Sequence, residues 1–112
     1  MIMAEYEIRE FIKEGLSPFG EWFEGLDSTA ASKITTVLYR LQYGNFSNVQ
    51  SVGSGLSEYK VDFGPGYRIY FGQDGNTLII LLTGGTKKMQ SKDITKAKTF
   101  WQEYKAGKKQ GG

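Results

Sequence analysis

Apolar and polar residues alternate from Tyr6 to Phe11 (Tyr6-Glu7-Ile8-Arg9-Glu10-Phe11), and that period of two predicts a first strand. The period then changes. Ser17-Pro18 reads as a helix start, with Ser as N-cap and Pro at the first helical position. Phe19, Trp22, Phe23 and Leu26 follow at i, i+3, i+4 and i+7, so the short helix carries one aromatic face, a core-facing one. Asp27 or Ser28 caps a second helix whose apolar stripe is Ala30, Ile34, Val37, Leu38 and Leu41, and Gly44-Asn45 ends it. The short break between the helices predicts an antiparallel hairpin. The stretch from Asn45 to Gly55, rich in Ser, Asn and Gly, reads as a mobile loop.

The clearest pattern lies further on. Tyr59, Val61 and Phe63 alternate with Glu58, Lys60 and Asp62, and after Gly64-Pro65-Gly66 the residues Tyr67, Ile69 and Phe71 alternate with Arg68 and Tyr70. This predicts a β-hairpin with one apolar and one polar face. A turn centred on Pro65 sets Phe63 opposite Tyr67, Asp62 opposite Arg68 and Lys60 opposite Tyr70. Asp74-Gly75 marks another tight turn, and Thr77 to Thr83 completes a meander. The unbroken run Leu78-Ile79-Ile80-Leu81-Leu82 implies a central strand covered on both faces. Tyr59, Val61, Phe63, Ile69, Phe71, Leu78, Ile80 and Leu82 are expected to share the sheet face under the helical hairpin. Gly84-Gly85-Thr86-Lys87-Lys88 reads as a glycine-flanked basic loop. Ser91 then caps a last helix with Ile94, Ala97, Trp101 and Tyr104 on one side and Lys92, Lys96 and Lys105 elsewhere. The order is β-α-α-β-β-β-α, an α+β domain with an antiparallel sheet, a helical hairpin on one face and a C-terminal helix. One domain spans 1–106, and the Gly- and Lys-rich residues 107–112 read as a frayed tail.

Composition narrows the chemistry. The 112 residues include no Cys, which excludes a disulfide scaffold, a thiolate zinc site and a cysteine nucleophile. They include no His, which excludes a Ser-His-Asp triad and an imidazole base. Chemistry therefore falls to Lys, Arg, Tyr, Asp or Glu. The formal charge of +2 hides an asymmetry. Residues 1–27 hold Glu5, Glu7, Glu10, Glu14, Glu21, Glu24 and Asp27 against Arg9 and Lys13, whereas residues 87–112 hold eight lysines against Asp93 and Glu103. An anionic partner for the C-terminal part follows. Met1 to Glu5 offers no export signal, and no apolar run approaches a membrane span, so a soluble cytoplasmic protein is expected.

Alternation alone puts Lys60 and Arg68 on one side of the sheet with Tyr70, and Lys87 and Lys88 follow the next strand as it leaves. Cations that hold phosphates beside a ring that stacks a base suit RNA. The same residues also admit a plain structural account: Asp62–Arg68 as a cross-strand ion pair worth about 0.2–1 kcal/mol. The Gly64-Pro65-Gly66 turn is no phosphate loop, because no Gly-Lys-Ser/Thr follows. Glu58 and Asp62 lie four apart on one face without a third acid, a weak basis for a metal site.

The stretch from Ser57 to Gly72, with Leu82-Thr83-Gly84-Gly85-Thr86-Lys87-Lys88, strongly resembles the addiction-module killer proteins, HigB-like toxins of the RelE/ParE superfamily. Leu41 to Phe46 and Asp93 to Lys98 are similar to that family too. The resemblance implies a toxin of a bacterial type II toxin-antitoxin module and the RelE/ParE-like fold. It implies an endoribonuclease cutting mRNA on the ribosome, with no metal and no cofactor. By it, Arg68 falls on the superfamily's middle-strand arginine, Lys60 on a strand position that is often basic, and Lys87-Lys88 on the basic pair after the last strand. Arg68 and Lys88 would stabilise charge on the phosphate, and Lys60 or Tyr70 would exchange a proton. Lys87, Tyr70 and Lys92 would bind substrate. An isolated Lys titrates at about 10.4, so a Lys60 base requires neighbouring cations to lower it; Arg68 and the basic loop offer that, and Glu58 and Asp62 oppose it. Several relatives carry a histidine or a further arginine late in the chain, and this chain has no His, which leaves the general acid unassigned. The implied partner is a cognate antitoxin with a helix-turn-helix, through which alone operator DNA would be met. ParE-like members of the same fold inhibit gyrase, the alternative activity.

Overall fold

The computed structural model describes residues 5–111; the reading of Met1 to Ala4 and the Gly112 end of the tail lie outside them. Helix α1 (Pro18–Glu24) starts at the predicted cap, where Ser17 Oγ accepts from Gly20 N at 2.8 Å. Helix α2 (Ser28–Gln42) starts from Asp27, whose Oδ1 accepts from Ala30 N at 2.8 Å, so Asp27 and not Ser28 is the cap. Both caps satisfy amides that have no partner within the helix. Ala30, Ile34, Val37 and Leu41 are buried on α2 as the stripe predicts, with Leu38 half-buried.

Five strands form one sheet: β1 (Glu7–Glu10), β2 (Val49–Gly53), β3 (Leu56–Val61), β4 (Tyr67–Asp74) and β5 (Leu78–Thr86), in the order β1-β5-β4-β3-β2. Two expectations are corrected here. The stretch expected as a mobile loop contains β2, an edge strand antiparallel to β3. Its pattern is masked because only Val49 and Val52 are apolar among residues that face water. The sheet is mixed, not antiparallel throughout, because β1 pairs parallel to β5. Parallel pairing of strands distant in the chain has no turn to announce it.

The β3–β4 register is also corrected. Lys60 faces Arg68, Glu58 faces Tyr70 and Val61 faces Tyr67. The strands end earlier than a turn centred on Pro65 requires. Phe63 N donates to Val61 O (2.9 Å) and Gly66 N to Phe63 O (3.0 Å), so Asp62 and Phe63 belong to the connection. An Asp62–Arg68 pair therefore does not form.

Two apolar layers sandwich the sheet. Tyr59, Val61, Ile69 and Phe71 pack under α1 and α2 with Phe19, Ile34, Val37 and Leu41, as predicted, and Phe63 borders them half-buried. On β5 the phase is the opposite of the predicted one. Ile79 and Leu81 face the helical hairpin, while Ile80, Leu82 and the half-buried Leu78 face α3 (Gln90–Gly111). A run of five aliphatics has no period to reveal its phase, and a bulge between Tyr70 and Phe71 shifts the β4–β5 pairing. Val61→Ala is expected to lower stability by about 1–3 kcal/mol in urea unfolding, since it opens a cavity in the first layer. A change near zero would contradict this packing.

Gly84, Gly85 and Thr86 continue β5, and a single 3-10 turn, Lys87–Met89, leads into α3, so neither a glycine-flanked loop nor a Ser91 cap is present. The strand persists through its glycines because neighbours occupy their side-chain space. A Cβ on Gly84 would overlap the Trp22 ring, and one on Gly85 the Asp93 carboxylate. Ala97 and Trp101 are buried against the sheet with Ile94 and Tyr104 beside them, as the spacing predicts. The helix continues beyond Gly107, where composition places the start of a tail. No helix among the described residues is long and apolar enough to cross a membrane.

Candidate functional site

Of the predicted site residues, Arg68, Lys87 and Lys60 lie at the end of the sheet where the β3–β4 connection and the 3-10 turn touch. Gly66 makes that contact possible. Its φ of +77° suits glycine, and a Cβ there would stand 3.3 Å from Lys87 Cβ and 3.4 Å from Arg68 Nη1. Lys87 N donates to Gly66 O at 2.7 Å, which ties the 3-10 turn to the connection. Arg68 and Lys87 therefore adjoin the same glycine, and Lys60 lies across the strand pair from Arg68. Lys60, Lys87, Lys88 and Lys92 are all exposed.

Arg68 and Tyr70 do not occupy the open polar face that alternation suggests, because α3 covers it. Arg68 is 8% exposed and Tyr70 is fully buried, so the Tyr70 ring cannot stack a base. Between them lies Glu58, also fully buried. Gln90 Nε2, at the start of α3, donates to Glu58 Oε2 at 2.7 Å, and Glu58 Oε1 lies 3.8 Å from Arg68 Nε. Arg68 Nη1 donates to the Gly66 and Tyr67 carbonyls, each at 3.1 Å. The guanidinium is thus held on two sides as a fixed charge just beneath the lysine-bearing surface. Burial, with the Glu58 carboxylate alongside, pushes the Tyr70 phenol well above its ordinary range. It stays protonated at neutral pH and cannot serve as a base.

Glu58 and Asp62 do not share a face as a carboxylate pair. Glu58 is enclosed in the core, and Asp62 is exposed in the connection. The pairing of Glu58 with Arg68 was partly legible, since both alternate in phase with Lys60; Gln90 gave no signal. In the sequence Asp93 stands out only as a charge against the C-terminal lysines. It lies half-buried over Gly85, and burial pushes its carboxyl up against the opposing Lys96 and Lys92 charges. It lines an open groove of about 810 Å³ beside β5, with Leu16, Trp22, Met89 and Phe100 on the walls.

No family model matches the chain. A Haemophilus influenzae protein, itself uncharacterized, is 43% identical over 86 residues, which cover 76% of this chain and 87% of that protein. A chain of the RelBE2 toxin-antitoxin complex from Mycobacterium tuberculosis overlays with a TM-score of 0.49 and 13% identity, across 77% of this chain and 95% of that one.

Proposed function

This chain belongs to the same family as the Haemophilus influenzae protein, and we propose that it is the toxin of a bacterial type II toxin-antitoxin module, a metal-independent endoribonuclease that cuts mRNA on the ribosome. The observation that carries the reading is the convergence of Arg68, Lys87 and Lys60 around one end of the sheet, with Lys88 exposed on the adjoining turn. It agrees with the motif resemblance from Ser57 to Gly72 and from Leu82 to Lys88. In this chemistry the RNA 2′-oxygen bonds to its adjacent phosphorus, and the bond to the 5′-oxygen breaks. A cyclic phosphate and a 5′-hydroxyl result. Negative charge grows on the phosphate oxygens in between, where fixed cations stabilise it more than they stabilise the ground state. Lys88 and Lys87 reach the phosphate, and Arg68 adds its charge from beneath. With Tyr70 enclosed, Lys60 is the exposed group that exchanges the proton, and Lys92 extends the surface for substrate.

The partner is a cognate antitoxin with a helix-turn-helix, whose acidic segment lies along the lysines of α3; Lys92, Lys96, Lys105 and Lys108 are exposed there. Operator DNA is met through that partner.

Lys88→Ala is expected to lower cleavage roughly 10²–10³-fold while melting with the wild type, because its exposed side chain leaves the core untouched. Toxicity in cells should fall in parallel. The assay is mRNA cleavage on translating ribosomes, set beside gyrase supercoiling, each in EDTA and in Mg²⁺. Inhibited supercoiling with intact mRNA would replace the nuclease by a gyrase inhibitor.

A further inference from the structure

The two edges of the sheet differ. On β2 a register shift between Ser51 and Gly53 interrupts the pairing, a device that turns an edge away from further strands. On β1 the pattern is regular. Glu7 N donates to Thr77 O and Phe11 N to Leu81 O, so residues 7, 9 and 11 turn their backbone groups toward β5. Ile8 and Glu10 turn theirs outward, where no backbone group among the described residues meets them. Above this edge lies a hollow of about 300 Å³, bordered by Ile8 and by Thr35, Leu38, Tyr39 and Gln42 of α2. Those four α2 positions follow at i, i+3, i+4 and i+7, one helical stripe. Its Tyr39 is 61% exposed.

Charge decides what can pair with this edge. Ile8 packs under the helical hairpin and Phe11 under α3, so Glu7 and Arg9 lie on the α3 side of β1. Both are more than half exposed and form an ion pair with each other. Charged side chains ordinarily keep an edge strand from pairing. Here they are complementary to their own copy. A twofold contact between edge strands is antiparallel, and its bonded pairs fall on the even-numbered positions, whose groups point outward. With Ile8 opposite the second copy's Ile8, Glu7 faces Arg9 and Arg9 faces Glu7, a square of alternating charge. Setting Ile8 opposite Glu10 instead places Arg9 against Arg9. Setting it opposite Tyr6 places Glu7 against Glu7. One register is favoured and both of its neighbours are penalised.

We propose that β1 is a self-association edge, where two copies pair antiparallel about Ile8 and join their five-stranded sheets into one. The twofold axis stands perpendicular to the sheet, so both α2 helices lie on the same side. Their Tyr39 rings close over the hollows beside the seam. Lys60, Arg68, Lys87 and Lys88 lie on other strands or beyond the part of β5 that β1 covers, so the assignment is independent of the nuclease reading.

Sedimentation velocity of the full chain at rising concentration is expected to show a shift from 12.6 kDa toward twice that mass. Arg9→Glu and Glu7→Arg each set like charges opposite one another twice, and each should weaken association by roughly tenfold or more. Mixed in equal amounts, the two variants regain the alternating square and should pair at the wild-type concentration. Both side chains are exposed and their pair is worth little to the fold, so each variant should melt with the wild type. Tyr39→Ala should also weaken association. Hydrogen exchange should slow at the Ile8 and Glu10 amides as the wild type associates, and stay unchanged along β2.

A wild type that keeps the mass of one chain at every soluble concentration overturns the proposal. So does a dimer that both single variants retain, which places its seam elsewhere, and so does a mixture that fails to pair. Protection of Ile8 and Glu10 only when an antitoxin is added would give the edge to a foreign strand instead.

Discussion

Arg68→Ala should lower the free energy of unfolding by about 3–5 kcal/mol, measured from the urea midpoint at constant m-value. The reason lies in Glu58, a fully buried carboxylate whose one cationic partner among the described residues is that guanidinium, 3.8 Å away. With the cation removed, only neutral groups, the Gln90 amide and the neighbouring Tyr70 phenol, face a charge enclosed in protein. A neutral partner can satisfy one oxygen but cannot replace an ion's hydration. Adding Glu58→Gln to Arg68→Ala should therefore recover stability, although it is a second change in a packed region, because it removes the charge that had lost its partner. An Arg68→Ala variant as stable as the wild type, or a double variant less stable than Arg68→Ala alone, would show that the pair does not carry this charge. For the chemistry, Arg68→Ala confounds folding with catalysis, and Lys88 is the cleaner probe. Arg68→Lys keeps the charge but not the two-sided hold on it, so partial cleavage is expected.

The second large effect concerns Trp101. Its ring lies flat against β4 at Gly72, where a Cβ would stand 2.5–2.6 Å from three ring atoms. The ring has nowhere to retreat. Tyr104 stacks on it with centroids 5.4 Å apart and planes 4° from parallel, and its Nε1 edge is 3.1 Å from a Cβ position on Gly55. Trp101→Ala is expected to lose about 3–5 kcal/mol by emptying the α3 layer. Gly72→Ala is expected to lose about 3 kcal/mol by displacing the same ring. The two losses should not add, because without the indole the extra methyl meets open space. Strict additivity in a thermal or urea double-mutant cycle would refute this contact.

The helical hairpin was legible because its evidence is local: Ser17 and Asp27 cap by reaching three residues ahead, and the apolar stripes follow the helical period. The hairpin of β3 and β4 was legible in kind but not in register, since the extra residues of the connection are fixed by backbone bonds around Phe63. On β5 the unbroken aliphatic run identified a buried strand and concealed its phase. The site was half legible for a related reason. Alternation says that Glu58, Lys60, Arg68 and Tyr70 share a face, which they do, but not whether that face meets water. The answer depends on α3, whose lysine-rich sequence reads as solvated while its Ala97 and Trp101 seal the sheet. Of the predicted site cations, Lys60, Lys87, Lys88 and Lys92 remain exposed, while Arg68 lies under the helix's cover.

The parallel pairing of β1 with β5 bears on synthesis. Glu7 finds its partner at Leu78, and Glu10 at Leu81, so the first strand made waits for the last. Such long-range closure is slow and comes late in folding. As the chain emerges from its own ribosome, α1 and α2 can form on local signals, but the layer beneath them stays open until Ile79 and Leu81 arrive. Lys87, Lys88 and Gln90 emerge later still, and with them the turn that meets Gly66 and the amide that meets Glu58. A nascent chain is therefore unassembled at its basic end until Gln90 has been made. On the proposed nuclease reading, this order of events would spare the ribosome that is making the protein.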